Sequence, residues 1–227
     1  MPDYGNNITL KRLWGGRKLF SDHPGKLLLY PAIKKCAPYS MLNYASFCQV
    51  HDALATLKRE NIEGSVVETG CWKGGCGAFM ALSGRKTFLL DSFEELPGIT
   101  DEDENKIAKE EAKGLFPSSI DDVASISAKL GVQVEIIKGW FSETIPANKG
   151  RMGQIALLRL DGDTYQSTKD SLELYDSVAE GGFVIIDDYK GWPGCRKAIY
   201  ECIHEKRINP VIQFYPHGGK AYFRKNG

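Results

Sequence analysis

The 227-residue sequence predicts an α/β protein: a seven-stranded, mostly parallel sheet with helices on both faces and an antiparallel C-terminal hairpin strand. Three observations carry this. From Ser65 to about Lys206, short apolar runs alternate with helical segments, the pattern of a parallel sheet covered on both faces. Two last apolar runs flank His217-Gly218-Gly219, a tight turn that suits a hairpin at one edge. The length suits one domain with a sizeable core.

The first ~37 residues mix Gly, Pro, Lys and aromatics without period, so residues 1–39 are expected to form an irregular arm with one short helix ahead of the main domain, 40–227. From Ser40 to Asn61, Met41, Tyr44, Phe47, Val50, Leu54 and Leu57 recur at spacings of three and four, an amphipathic helix. Ser65–Glu68 reads as the first strand, followed by a glycine turn, Thr69 to Gly75, and a helix through Met80. Thr87–Leu90 is the second strand, ending at Asp91. Residues 101–130 are charged, then amphipathic, hence helical with a break near Gly114 to Pro117; the acids from Asp101 to Glu104 read as a solvated helix face. Val132–Ile137 and Ile155–Leu160 are strands three and four. Thr164–Ala179 reads as a helix that Gly181-Gly182 stops, before a fifth strand, Phe183–Ile186. A helix runs from Pro193 to about Lys206, and Val211–Tyr215 and Ala221–Arg224 make the closing hairpin.

Composition narrows the function. With 29 Lys+Arg against 29 Asp+Glu the formal net charge is zero, which argues against a basic nucleic-acid-binding face. No apolar run approaches the ~18 residues of a membrane span, and Met1 to Phe20 hold no apolar h-region, so a cytoplasmic protein without membrane or nucleic-acid partners is expected. The cysteines at 36, 48, 71, 76, 195 and 202 form no C-x-x-C and read as buried thiols.

In an open α/β sheet, ligands sit beyond the carboxyl ends of the strands. The residues there are Glu68, Asp91, Gly139-Trp140, Asp161 and Asp187-Asp188. The turn Glu68-Thr69-Gly70-Cys71-Trp72-Lys73-Gly74-Gly75 is glycine-rich, yet Trp72 stands where a dinucleotide fingerprint needs its second glycine. That disfavours NAD or FAD. A carboxylate at Glu68 repels a pyrophosphate but suits the cationic, phosphate-free S-adenosylmethionine. Asp91 is placed to accept bonds from ribose hydroxyls, with Ser92, Phe93 and Trp140 placed for the adenine. If strands four and five are neighbours, Asp161, Asp187 and Asp188 converge as hard oxygen ligands for Mg²⁺. The plain alternative is that Asp163 caps a helix and Asp188 forms a turn.

These residues also carry a family resemblance. Val66–Gly75, Asp91-Ser92-Phe93-Glu94-Glu95-Leu96-Pro97, Lys138-Gly139-Trp140-Phe141 with Thr144-Ile145-Pro146, Leu160–Thr168 and Gly181–Tyr189 resemble, in order, motifs of the macrocin O-methyltransferase family. With Tyr39-Ser40-Met41, the resemblance spans roughly residues 39 to 203. It implies a Rossmann-like class I methyltransferase that uses S-adenosylmethionine and Mg²⁺ to methylate sugar hydroxyls. It also implies that Glu68, Thr69, Gly70 and Gly74 hold the methionine part, Asp91 the ribose, and Ser92 and Trp140 the adenine. Asp161, which also borders the cofactor, Asp187 and Asp188 would carry the metal, with Asp161 the general base. The N-terminal arm and residues 98–117 match no motif, so a glycosylated natural product, a nucleotide sugar and a polysaccharide all stay open as acceptors. A homo-oligomer, a dimer, is expected. The alternatives are a metal-independent small-molecule methyltransferase and a non-catalytic module that binds S-adenosylmethionine or a nucleotide.

Overall fold

The computed structural model describes residues 17–94, 99–103 and 117–226. Its strands are β1 (Ser65–Thr69), β2 (Thr87–Asp91), β3 (Glu135–Lys138), β4 (Ile155–Leu160), β5 (Val178–Ile186), β6 (Gln213–Phe214) and β7 (Ala221–Arg224). They form one sheet in the order β3-β2-β1-β4-β5-β7-β6. β1 to β5 are parallel, and β7 pairs antiparallel with both β5 and β6. The chain leaves β1 for β2 on one side and reaches β4 on the other. The sheet therefore reverses direction between β1 and β4, which is where a ligand crevice opens.

Alternate residues of the central strands enter two different cores. Val66, Leu157, Phe183 and Ile185 pack into one, and Val67, Leu158, Val184 and Ile186 into the other. The first core is covered by α2 (Tyr30–Cys36), α3 (Tyr44–Arg59), α4 (Gly75–Ala81) and part of α5 (Ile120–Leu130). The second is covered by α6 (Phe141–Met152), the 3₁₀ segment Leu172–Ser177 that follows α7 (Tyr165–Ser171), and α8 (Pro193–Glu205). Each fully buried aliphatic chain here stabilises by roughly 1.5–3 kcal/mol. Among the described residues no helix is long and apolar enough to cross a membrane.

Several expectations are corrected. The irregular arm is largely helical over its described part: α1 (Arg17–Asp22), a 3₁₀ turn Pro24–Leu29, α2 and a 3₁₀ turn Ala37–Tyr39. The last three begin with Pro at a first-turn position, so helix starts follow too closely for a long apolar period to develop. Leu19, Ile33 and Cys36 are fully buried in the same core as α3. The helix beginning near Thr164 ends earlier than expected, and Gly181-Gly182 lie inside β5 rather than stopping a helix. There Gly181, at φ +74°, sits where the β4–β5 register jumps from Ile155↔Val178 to Leu157↔Phe183. A bulge glycine and a helix-stop glycine look alike in sequence. The strand expected over Val211–Tyr215 shrinks to Gln213–Phe214, flanked by Pro210 and Pro216.

Thr164, not Asp163, caps α7, accepting from the Ser167 N–H. Part of the acidic stretch is not solvated either. Asp103 is fully buried and accepts from the Tyr165 N–H at 2.7 Å and the Thr100 N–H at 3.0 Å. Residues 104–116, with the expected helix break, lie outside the described residues, as do Glu95 to Pro97. Asp103→Ala would strand the half-buried Tyr165 N–H at the start of α7. The expected result is a loss of about 2–3 kcal/mol in chemical denaturation; a loss below about 0.5 kcal/mol, the range of an ordinary surface change, would show that this carboxylate does not hold the helix.

Candidate active site

A cavity of about 400 Å³ opens at the carboxyl ends of β1, β2, β4 and β5. Its walls include Glu68, Gly70, Asp91, Ser92, Trp140, Asp161, Asp187 and Asp188, so eight of the residues singled out in the sequence meet in one space. Ser40, Met41 and Leu42, just ahead of α3, form another part of the wall. Thr69 and Gly74 do not line it. The Thr69 hydroxyl donates to the Arg159 carbonyl, and Gly74 caps α4 in a left-handed conformation, φ +78°. Both shape the turn from behind.

The turn after β1 is tight for a visible reason. A Cβ on Gly70, at φ +87°, would lie 2.0 Å from the Asp161 carbonyl oxygen. Trp72 also has positive φ, +48°, which costs a large side chain free energy. Asp91 offsets this: its Oδ2 accepts from the Cys71 and Trp72 N–H groups, 2.8 Å each, and its Oδ1 accepts from the Phe93 N–H at 2.8 Å. Asp91 therefore fixes the glycine turn from the end of the neighbouring strand. A carboxylate offers about four acceptor positions, so room remains for a further donor.

Two buried polar atoms of cavity-lining residues lack ordinary partners. Trp72 Nε1 is buried without an acceptor. Glu68 Oε2 has no N–H or O–H donor, only the weak Cys76 thiol nearby. A buried acceptor and a buried donor left unpaired on cavity-lining residues fit a ligand that carries both a cation and polar acceptor atoms, as S-adenosylmethionine does.

The carboxylates of Asp161, Asp187 and Asp188 each place an oxygen within 4.8 Å of the others. The sequence reading did not single out the two cations among them. Arg159, wholly buried, donates from one guanidinium nitrogen to Glu68 and Asp161, 2.6 Å each, and from the other to Asp187. Lys220, on the last hairpin, reaches the second Asp187 oxygen at 2.5 Å. Glu68, Asp161, Asp163, Asp187 and Asp188 thus outnumber Arg159 and Lys220 by five to two.

The titration of these groups follows from burial and mutual repulsion. Burial pushes Glu68 up to about 7 against the pull of Arg159. Burial and the neighbouring carboxylates also raise Asp161, Asp163 and Asp188. Asp187 is held low, because Arg159 and Lys220 outweigh its burial. The donor set at Asp161, Asp187 and Asp188 is all hard oxygen, and a cation there would relieve the repulsion that raises Asp161 and Asp188, which fits a divalent ion such as Mg²⁺. Asp188 also accepts from the Asp163 N–H at 3.3 Å.

Comparison with known proteins identifies the family. The family model of macrocin-O-methyltransferase (TylF) matches residues 33–225. Mycinamicin III 3''-O-methyltransferase of Micromonospora griseorubida is 32% identical, over 87% of this chain and 81% of the relative. The 8-demethyl-8-(2,3-dimethoxy-alpha-L-rhamnosyl)-tetracenomycin-C 4'-O-methyltransferase of Streptomyces olivaceus is also 32% identical, over 72% of this chain and 67% of the relative. Among solved structures, the O-methyltransferase NovP superposes with a TM-score of 0.71 at 27% identity, covering 83% of each chain. The chain therefore belongs to the macrocin-O-methyltransferase (TylF) family and is an O-methyltransferase.

Proposed function

We propose that this enzyme methylates a sugar hydroxyl on a small glycosylated natural product, with S-adenosylmethionine as donor and a divalent ion, Mg²⁺, at Asp161, Asp187 and Asp188. The observation that carries the reading is the convergence of these carboxylates in the same cavity as the glycine turn. The relatives' names support the acceptor class, one of them a rhamnosyl compound methylated at 4'-O.

Glu68 and Gly70 would face the methionine part, with Thr69 and Gly74 keeping the turn in shape. Asp91 would accept from the ribose hydroxyls, and Ser92 and Trp140 would border the adenine. Bound there, S-adenosylmethionine would supply a sulfonium methyl for the acceptor oxygen, with the thioether as leaving group. An ion held by Asp161, Asp187 and Asp188 would act as a Lewis acid that makes an acceptor hydroxyl more acidic. Asp161 would take that hydroxyl's proton onto a carboxylate oxygen, while burial excludes competing water. Ser40, Met41 and Leu42 would hold the acceptor close, so that much of the acceleration comes from positioning.

The test is methyl transfer to a panel of glycosides and their aglycones, with and without EDTA. The expected product carries the methyl on the sugar, activity falls to background in EDTA, and Mg²⁺ restores it. Transfer only to aglycones would sink the sugar assignment, and undiminished turnover in EDTA would sink the metal. A metal-independent reading has one observation in its favour: both Asp187 oxygens are already bonded to cations, Arg159 and Lys220.

A further inference from the structure

Lys220 lies in the hairpin between β6 and β7, far in sequence from the strand ends that form the cavity. Its place there is built by α3. The buried Gln49 side chain binds both sides of the Lys220 peptide: Lys220 N–H donates to Gln49 Oε1 at 2.8 Å, and Gln49 Nε2 donates to the Lys220 carbonyl at 3.1 Å. Nearby, Asn43 donates to the Gly218 carbonyl at 2.8 Å, and the Tyr215 hydroxyl donates to Asp52 at 2.7 Å. Asn43, Gln49 and Asp52 thus clamp the hairpin onto α3. These bonds fix the hairpin so that the Lys220 ammonium enters the cavity.

That ammonium meets Asp187, whose other oxygen is bonded to Arg159. Both oxygens therefore already face a cation, and an ion that uses Asp187 would sit against one of the two. Arg159 is 1% exposed and tied to Glu68, Asp161 and Asp187 at once, so it cannot withdraw. The Lys220 side chain is 27% exposed and bonded to one carboxylate in the cluster. It is the cation that can leave.

We infer that Lys220 is a built-in rival of the divalent ion: its ammonium occupies the Asp187 oxygen that the ion takes, and the ion binds by displacing it. The inference rests on the metal reading proposed above. It makes Lys220 a positioning residue that sets metal affinity, and it reconciles a metal site with a doubly bonded Asp187. A lone ammonium on a flexible stem suits this exchange better than a guanidinium fork.

The experiment is binding of Mn²⁺ and Mg²⁺ to the metal-stripped full chain, by calorimetry and by the Mn²⁺ spin signal, with folding checked by thermal melting. Lys220→Met is expected to bind at least about tenfold more tightly, because a charge at contact distance from the ion has gone. Lys220→Arg, which keeps the charge, should stay near the parent. Gln49→Ala loosens the tether without removing the ammonium, so it should give a smaller gain and decides the matter if Lys220→Met fails to fold. Unchanged or weaker binding by Lys220→Met, with the parent binding normally, would overturn the rivalry and leave the metal reading intact. Absence of binding by parent and variants alike would overturn the metal reading itself. Binding by Lys220→Met alone would support the rivalry in its strongest form.

Discussion

Asp161→Asn is expected to lose about 10²–10⁴-fold in turnover, the usual contribution of a positioned general base, while S-adenosylhomocysteine binding by calorimetry stays near the parent value. The argument starts from what the carboxylate does in the fold. Its backbone N–H donates to the Thr69 carbonyl, and that bond survives the substitution. Its Oδ2 accepts from Arg159 at 2.6 Å, and an amide oxygen can accept there too. The lost charge was itself under pressure from burial and from Asp187, so neutralising it relieves repulsion as it weakens the Arg159 pair. The two effects oppose each other, and stability should change little. An amide, however, takes no proton from an acceptor hydroxyl. Turnover within threefold of the parent would remove Asp161 from the role of base, and a loss explained wholly by cofactor affinity would reassign it to binding.

The strand ends were the legible part of this site. Each central strand is a short apolar run that stops at a polar residue, and a parallel sheet brings such stops to one rim. Glu68, Asp91, Asp161 and Asp187-Asp188 could therefore be placed on one rim from the sequence, while which of them meet depended on the strand order. Arg159 had one signal, a charge inside the otherwise apolar run Ile155–Leu160. A charge at a position buried on both faces must be paired; Asp161, two residues on, is a local partner, but Glu68 and Asp187 come from the ends of β1 and β5 and nothing local names them. Lys220 and Asp103 had weaker signals still. Lys220 bonds a carboxylate 33 residues away, through a hairpin whose placement depends on Gln49. Asp103 bonds an N–H 62 residues away, so in sequence it merges with solvated acids beside it. Local period and turn chemistry specify elements; contacts that close the site are long-range and depend on how those elements stack.

Arg159→Met is expected to cost about 3–5 kcal/mol of unfolding free energy at neutral pH, measured by chemical denaturation, which is the range for removing one side of a buried ion pair. Methionine fills most of the space and packs well between β1 and β5, so a cavity is not the cause. The cause is Glu68, Asp161 and Asp187, left facing one another without their shared cation. Glu68 already sits near 7 with the arginine present, so its proton uptake relieves part of the cost. Asp187 has the most to lose, because Arg159 and Lys220 are what hold it ionised. A second substitution, Asp187→Asn, should therefore recover a measurable part of the loss in the Arg159→Met background while destabilising the parent, a coupling that a double-mutant cycle reads directly. Arg159→Lys should fall between, since one ammonium cannot reach three carboxylates from the fixed directions of a guanidinium fork. For a domain whose whole stability is typically about 5–15 kcal/mol, the single change brings the fold close to its limit. A loss under about 1 kcal/mol, or no coupling to Asp187, would mean that the cluster carries less charge than its geometry indicates, with Asp161 and Asp187 sharing protons rather than relying on Arg159.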